Sequence, residues 1–70
     1  MMITVDARGL LCPWPVLRLA RAMRSADRAS ILADDPAAPA EIAALADAHG
    51  WAIYPQDGGF LVSRGRLNNN

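Results

Sequence analysis

Ile3 and Val5 alternate with Thr4 and Asp6, the period-two pattern of a half-buried strand. From Pro13 to about Ala26 the period changes. Val16, Leu19, Ala20, Met23 and Ala26 share one helical face, and Arg18, Arg21 and Arg24 share the opposite one. No glycine interrupts this stretch of good helix formers, so it predicts an amphipathic helix. Arg28 to Ala33, centred on Ile31 and Leu32, predicts a second strand that ends at Asp34-Asp35-Pro36. A second helix is predicted to begin between Pro36 and Pro39, because proline suits the first helical position. It runs through Ile42, Leu45, Ala46 and His49, with Gly50 as its stop. Trp51 to Tyr54 and Phe60 to Arg64 predict two strands joined through Pro55-Gln56-Asp57-Gly58-Gly59, a hairpin signal.

The predicted order is β-α-β-α-β-β, with no internal repeat. A strand, helix, strand run forms a right-handed parallel crossover, and the last two strands form an antiparallel hairpin. The expected fold is an α/β two-layer sandwich: a mixed four-stranded sheet with both helices on one face and the other face open to solvent or to a partner. Residues 1–66 are expected to form a single domain, and 67–70 a frayed tail with nothing to pack against.

Composition narrows the chemistry. A chain of 70 residues has room for one domain with a thin core. Seven basic and seven acidic residues cancel, and with a pI near 6.5 there is no basic field for nucleic acid. The basic residues are all arginine, which excludes a lysine nucleophile or Schiff base. One cysteine excludes an internal disulfide and every multi-cysteine metal site, and one histidine excludes a two-histidine zinc motif. No apolar run approaches the ~20 residues that span a bilayer, and no signal-peptide pattern opens the chain. The expectation is a small soluble, cytoplasmic protein of a reducing compartment, without metal, cofactor, nucleic acid or membrane. Its chemistry centres on Cys12 or is non-covalent.

Cys12-Pro13-Trp14-Pro15 is the most informative segment. If Pro13 is the first helical residue, Cys12 is the N-cap, and both prolines stand where backbone N–H groups lack helical partners anyway. Pro15 has no N–H, so the Trp14 amide is the natural donor to the Cys12 sulfur. The helix N-terminus favours an anion there, which predicts a cysteine pKa below the usual value near 8.5. Arg8 and Arg18 are near enough in sequence to add to the effect. A thiolate of this kind is a nucleophile and an acceptor of transferred sulfur. The competing reading is a cysteine that merely caps a helix in a non-enzymatic interaction domain. His49 is expected at the far end of the second helix, remote from Cys12, which argues against a Cys-His hydrolase. The lack of a Cys-x-x-Cys pair argues against a thiol-redox protein.

With these residues in place, the chain resembles the TusA/SirA family of small sulfur-carrier proteins. The likeness rests on Val5-Asp6 and Gly9-Leu10 leading into Cys12-Pro13-Trp14-Pro15-Val16-Leu17, then Ala33-Asp34-Asp35-Pro36 and the helix that follows, and Gly50 before the final hairpin. It spans about residues 3–66. Three features depart from the family pattern: Ala26-Asp27-Arg28 replaces a Pro-Gly turn, Trp14 stands between the motif prolines, and arginines replace the lysines of the first helix. The resemblance implies that Cys12 takes sulfur from a donor such as a cysteine desulfurase or a rhodanese-type protein. Cys12 would hold it as a persulfide and pass it to an acceptor protein, in tRNA thiolation, molybdenum-cofactor synthesis or sulfur oxidation.

Pro13, Trp14, Pro15 and Arg8 are then the residues expected to support the cysteine. Asp34 and Asp35 end the second strand on the same sheet edge as Cys12. They read as partner-binding or positioning residues through the resemblance, or as a turn and helix cap, with Asp35 the better cap. Trp14 projects on the arginine side of the first helix, where an exposed tryptophan is an interface anchor or else folds over Leu10 and Leu11. Arg18 and Arg21 are either a solvated face or an attraction for an acidic partner. A small carrier of this kind can work as a monomer, so the reading does not require oligomerisation.

Overall fold

A computed structural model describes residues 2–65. The expected tail, 67–70, and the first and last residues of the expected domain lie outside the described residues. Six elements follow in the predicted order: β1 (Met2–Asp6), α1 (Trp14–Ala22), β2 (Arg28–Leu32), α2 (Ala38–His49), β3 (Ala52–Gln56) and β4 (Gly59–Ser63). The sheet order is β1-β2-β4-β3, with β1 parallel to β2 and the other pairs antiparallel. Alternation along the strands sends Val5, Ala29, Ile31, Phe60, Val62 and Ile53 to the helix-covered side. There they meet Leu19 and Met23 of the α1 segment and Ala38 and Ile42 of α2, in the α/β sandwich expected from the pattern.

Several boundaries differ from the sequence reading. Helix α1 stops at Ala22, four residues short of Ala26. Past Met23 the amides of Arg24 and Ser25 reach back only three residues, to Arg21 and Ala22, so the helix tightens into turns. Ala26 is still buried, which is why its apolar position extends the helical pattern on paper. The hairpin is also tighter than Pro55 suggests. Pro55 lies inside β3 opposite Phe60, where its missing N–H does no harm because β3 is an edge strand. Only Asp57 and Gly58 remain as the loop, Gly58 at φ +76°, so β3 and β4 both shift from the predicted spans. Helix α2 begins and ends where its prolines and glycine place it: Gly50 takes φ +71°, and the amides of Gly50 and Trp51 return to the last turn.

The parallel β1–β2 pair positions the site. Its register runs from Met2↔Arg28 to Asp6↔Leu32, so both strands end together at one edge of the sheet. The loop that leads from β1 to α1 and the loop that leads from β2 to α2 therefore emerge side by side. In open α/β sheets such an edge, where loops from carboxyl ends meet, is where sites form.

Candidate functional site at Cys12

Cys12 lies at the tip of the first of these loops, and the second loop holds it there. The ladder continues one step past β1, with the Ala7 amide donating to the Leu32 carbonyl at 2.8 Å. Gly9, at φ +83°, donates its amide to Asp34 Oδ1 at 2.9 Å, and Cys12 donates its amide to Asp35 Oδ2 at 2.8 Å. Asp35 Oδ1 also accepts from the Ala37 amide at 3.5 Å, and the Asp35 carbonyl accepts from Ala38 at the start of α2. Asp34 and Asp35 thus tie the cysteine loop to the entrance of α2. Asp35 bonds the Cys12 amide and the start of α2 with one side chain and its own carbonyl.

The thiol itself departs from the sequence expectation. The residue flanking α1 is Pro13, with Trp14 as the first helical position and Pro15 in the first turn, so Cys12 stands one residue outside the N-cap. The peptide bond between Cys12 and Pro13 is cis. No side chain caps the helix, and the Trp14 amide donates to the Leu11 carbonyl at 2.9 Å rather than to sulfur. The Cys12 thiol is exposed and donates to Glu41 Oε2. Its pKa is accordingly raised above the ordinary value, the opposite of the helix-start prediction. The hydrogen bond to Glu41 contributes most, followed by desolvation and the negative charges of Glu41 and Asp35.

Arg8 does not offset those charges. Its guanidinium grips Asp6 in a two-point contact, Nε to Oδ1 and Nη2 to Oδ2, both 2.9 Å, and its amide also donates to Oδ1 at 3.2 Å. That pairing lowers the Asp6 pKa to about 2. The expected support of Cys12 by Arg8 is thus replaced by a link that braces the end of β1.

Glu41 is the residue that sequence reasoning missed. It sits in the first turn of α2, with its amide bonded to the Ala37 carbonyl. One oxygen faces Cys12, and the other, Oε1, is buried with no hydrogen-bond partner among the described residues. It is the chain's one glutamate, but an acid in a first turn is absorbed by the helix dipole and raises no chemical question by itself. His49 ends α2, away from Cys12, and its ring stacks on Trp51 at 4.3 Å between centroids. Trp14 is 57% exposed, flanked by the exposed Leu11 and Leu17. It lines a groove of about 770 Å³ between α1 and the outer edge of β1, together with Arg18, Arg21 and Asp6. Among the described residues no cluster of acidic, histidine or cysteine side chains could hold a metal.

The model of the family described as "Sulfurtransferase TusA" matches residues 3–63. The chain belongs to the TusA family. The solved structure of a SirA-like protein from Desulfitobacterium hafniense has the same fold, with a TM-score of 0.69 and 26% identity over 87% of this chain and 92% of that one. No curated protein matches the chain. The family span takes in all the groups just described, from β1 to the end of β4, so the loop pair around Cys12 is part of a TusA-type domain. No helix among the described residues is long and apolar enough to cross a membrane.

Proposed function

We propose that this TusA-family chain is a persulfide sulfur carrier in a reducing cytoplasm, loaded and unloaded on Cys12 by protein partners. The family match supports the reading, and the exposed thiol at the tip of a braced loop is the observation that carries it. In uptake, Cys12 Sγ attacks the outer sulfur of a donor persulfide. The new Sγ–S bond forms as the donor's S–S bond breaks, and the donor sulfur leaves with the electron pair as a thiol or thiolate. Delivery repeats the exchange in reverse, with an acceptor nucleophile taking the outer sulfur and Cys12 recovering its thiol. No oxidant is consumed, because the transferred sulfur keeps its oxidation level. The donor is of the cysteine desulfurase or rhodanese type, and the acceptor is a protein of tRNA thiolation, molybdenum-cofactor synthesis or sulfur oxidation.

Partners reach the thiol over Leu11, Trp14 and Leu17, exposed apolar side chains that surround it in sequence. Arg18 and Arg21 border the same surface with no ion pair among the described residues, and they favour an acidic partner. Asp34 and Asp35 act from beneath by fixing the loop, and the carrier works as a monomer. The test is mass spectrometry after incubation with a cysteine desulfurase and cysteine. A gain of ~32 Da, one sulfur atom, is expected on the wild-type chain and not on Cys12→Ser or Cys12→Ala. Sulfur found elsewhere, or on no residue with several donors, would sink the reading. Alkylation slower than that of an unperturbed cysteine is expected of the resting carrier, because the Glu41 contact and the nearby acidic groups push the Cys12 thiol up.

A further inference from the structure

A thiol is a weak nucleophile until its proton leaves, and the surroundings of Cys12 do not remove it in advance. Among the described residues no amide donates to the sulfur: the Trp14 amide is on Leu11, and the Cys12 amide itself points to Asp35. Among the described residues the charged groups that act on the thiol are acidic, Glu41 from α2 and Asp35 from the loop before it, while Arg8 is engaged by Asp6. Uptake therefore needs a group that receives the proton as the sulfur attacks.

We propose that Glu41 is that group, a catalytic base whose Oε2 takes the Cys12 proton during sulfur uptake. The step rests on the carrier reading given above. Geometry comes first: Oε2 already accepts the Sγ–H, within the reach a general base requires. Alternatives are occupied or distant. Asp35 spends Oδ2 on the Cys12 amide and Oδ1 on Ala37, and His49 is two turns further along α2 and stacked on Trp51. Glu41 is also underused as a structural residue, since Oε1 is buried and receives no hydrogen bond from any described residue. A buried acceptor without a partner is a cost that packing alone does not offset, and it is the kind of exception that function explains. Balanced in full, the proton moves from Sγ to Oε2, and the Sγ–S bond forms to the donor's outer sulfur. The donor's S–S bond breaks, and the departing thiolate recovers the proton from Glu41. Electrons and atoms are conserved, and no other reactant enters.

The experiment compares the full chain with Glu41→Gln, using glutathione persulfide as the donor. Two quantities are read: the pH at which thiolate absorbance appears, and the rate of the ~32 Da gain at pH 7. Removing the carboxylate makes the thiol easier to ionise, so the absorbance midpoint moves to lower pH. Uptake nevertheless falls, by about 100-fold on the usual scale of general-base effects. Glu41→Ala repeats the pattern and guards against a misplaced amide. Uptake that rises in step with the ionised fraction overturns the proposal, because Glu41 would then only restrain the thiol. Uptake and midpoint both unchanged overturn it as well. A wild-type chain that gains no sulfur while its thiolate still appears at the raised midpoint overturns the carrier reading itself, and the base with it.

Discussion

Asp35 divides its two carboxylate oxygens between the Cys12 amide and the Ala37 amide, and so joins the cysteine loop to the start of α2. Asp35→Ala removes both acceptors. The expected cost is about 1–2 kcal/mol, the worth of one good hydrogen bond and a weak cap. Faster hydrogen exchange at the Cys12 amide is the local signature, and unchanged exchange there would show that the loop is held by something else. Asp6 offers a titration instead. Its folded pKa of about 2 is below the ordinary aspartate value of 3.8, because Arg8 grips it. A depressed carboxylate contributes stability above its unfolded pKa and loses it as pH falls through the folded one. Stability should therefore decline between pH 4 and pH 2 in the wild type, and less steeply in Arg8→Ala, where carboxyl NMR should find Asp6 titrating near 3.8. The pair is exposed on both sides, so the effect shrinks in high salt. Neither partnership follows from the sequence alone. A guanidinium two residues from a carboxylate and four from a thiol can serve either, and only the backbone beyond β1 turns it toward Asp6.

Among the elements, β4 carries the tightest constraint. A Cβ built on Gly59 would lie 1.8 Å from the Ile31 carbonyl oxygen and 2.8 Å from its carbon, both backbone atoms of the neighbouring strand. Backbone in a paired strand cannot yield as a flexible side chain can. Gly59→Ala should cost about 3 kcal/mol or more, at the upper end for overpacking, and urea unfolding measures it. A loss below about 0.5 kcal/mol would mean that the strands separate cheaply there. Gly58, one residue earlier, has only ordinary contact with a Leu32 side-chain carbon, and its need is the positive φ of the turn. In the sequence these two glycines are alike, which is why both read as loop. Element order, the parallel pair and the amphipathic α1 were legible, because periodicity and proline or glycine punctuation carry them. Strand ends were not, since pairing register decides whether Pro55 and Gly59 belong to strand or turn. The site divides the same way: Cys12, Asp34 and Asp35 stand out by motif, whereas Glu41 is brought to the thiol by a contact 29 residues apart in the chain.

At the scale of the whole molecule, stability and recognition occupy different surfaces of the same helix. Leu19 is fully buried between α1 and the sheet, whereas Trp14 and Leu17, on the same nine-residue helix, are each at least half exposed. A domain of 70 residues has roughly 4–10 kcal/mol of total stability at the usual per-residue yield. Leu19→Ala should cost about 2–5 kcal/mol, which takes a large share of that margin and leaves the chain partly unfolded near 37 °C. Trp14→Ala removes a side chain that packs little, so its effect on stability should stay within about 0.5 kcal/mol. The two substitutions then separate what each surface does. Under the carrier reading, Trp14→Ala loads normally from a small persulfide donor, where no partner surface is needed, and loads slowly from a protein donor. Equal rates with both donors would remove Trp14 from the docking surface. A Trp14→Ala chain as unstable as Leu19→Ala would show instead that the tryptophan belongs to the core.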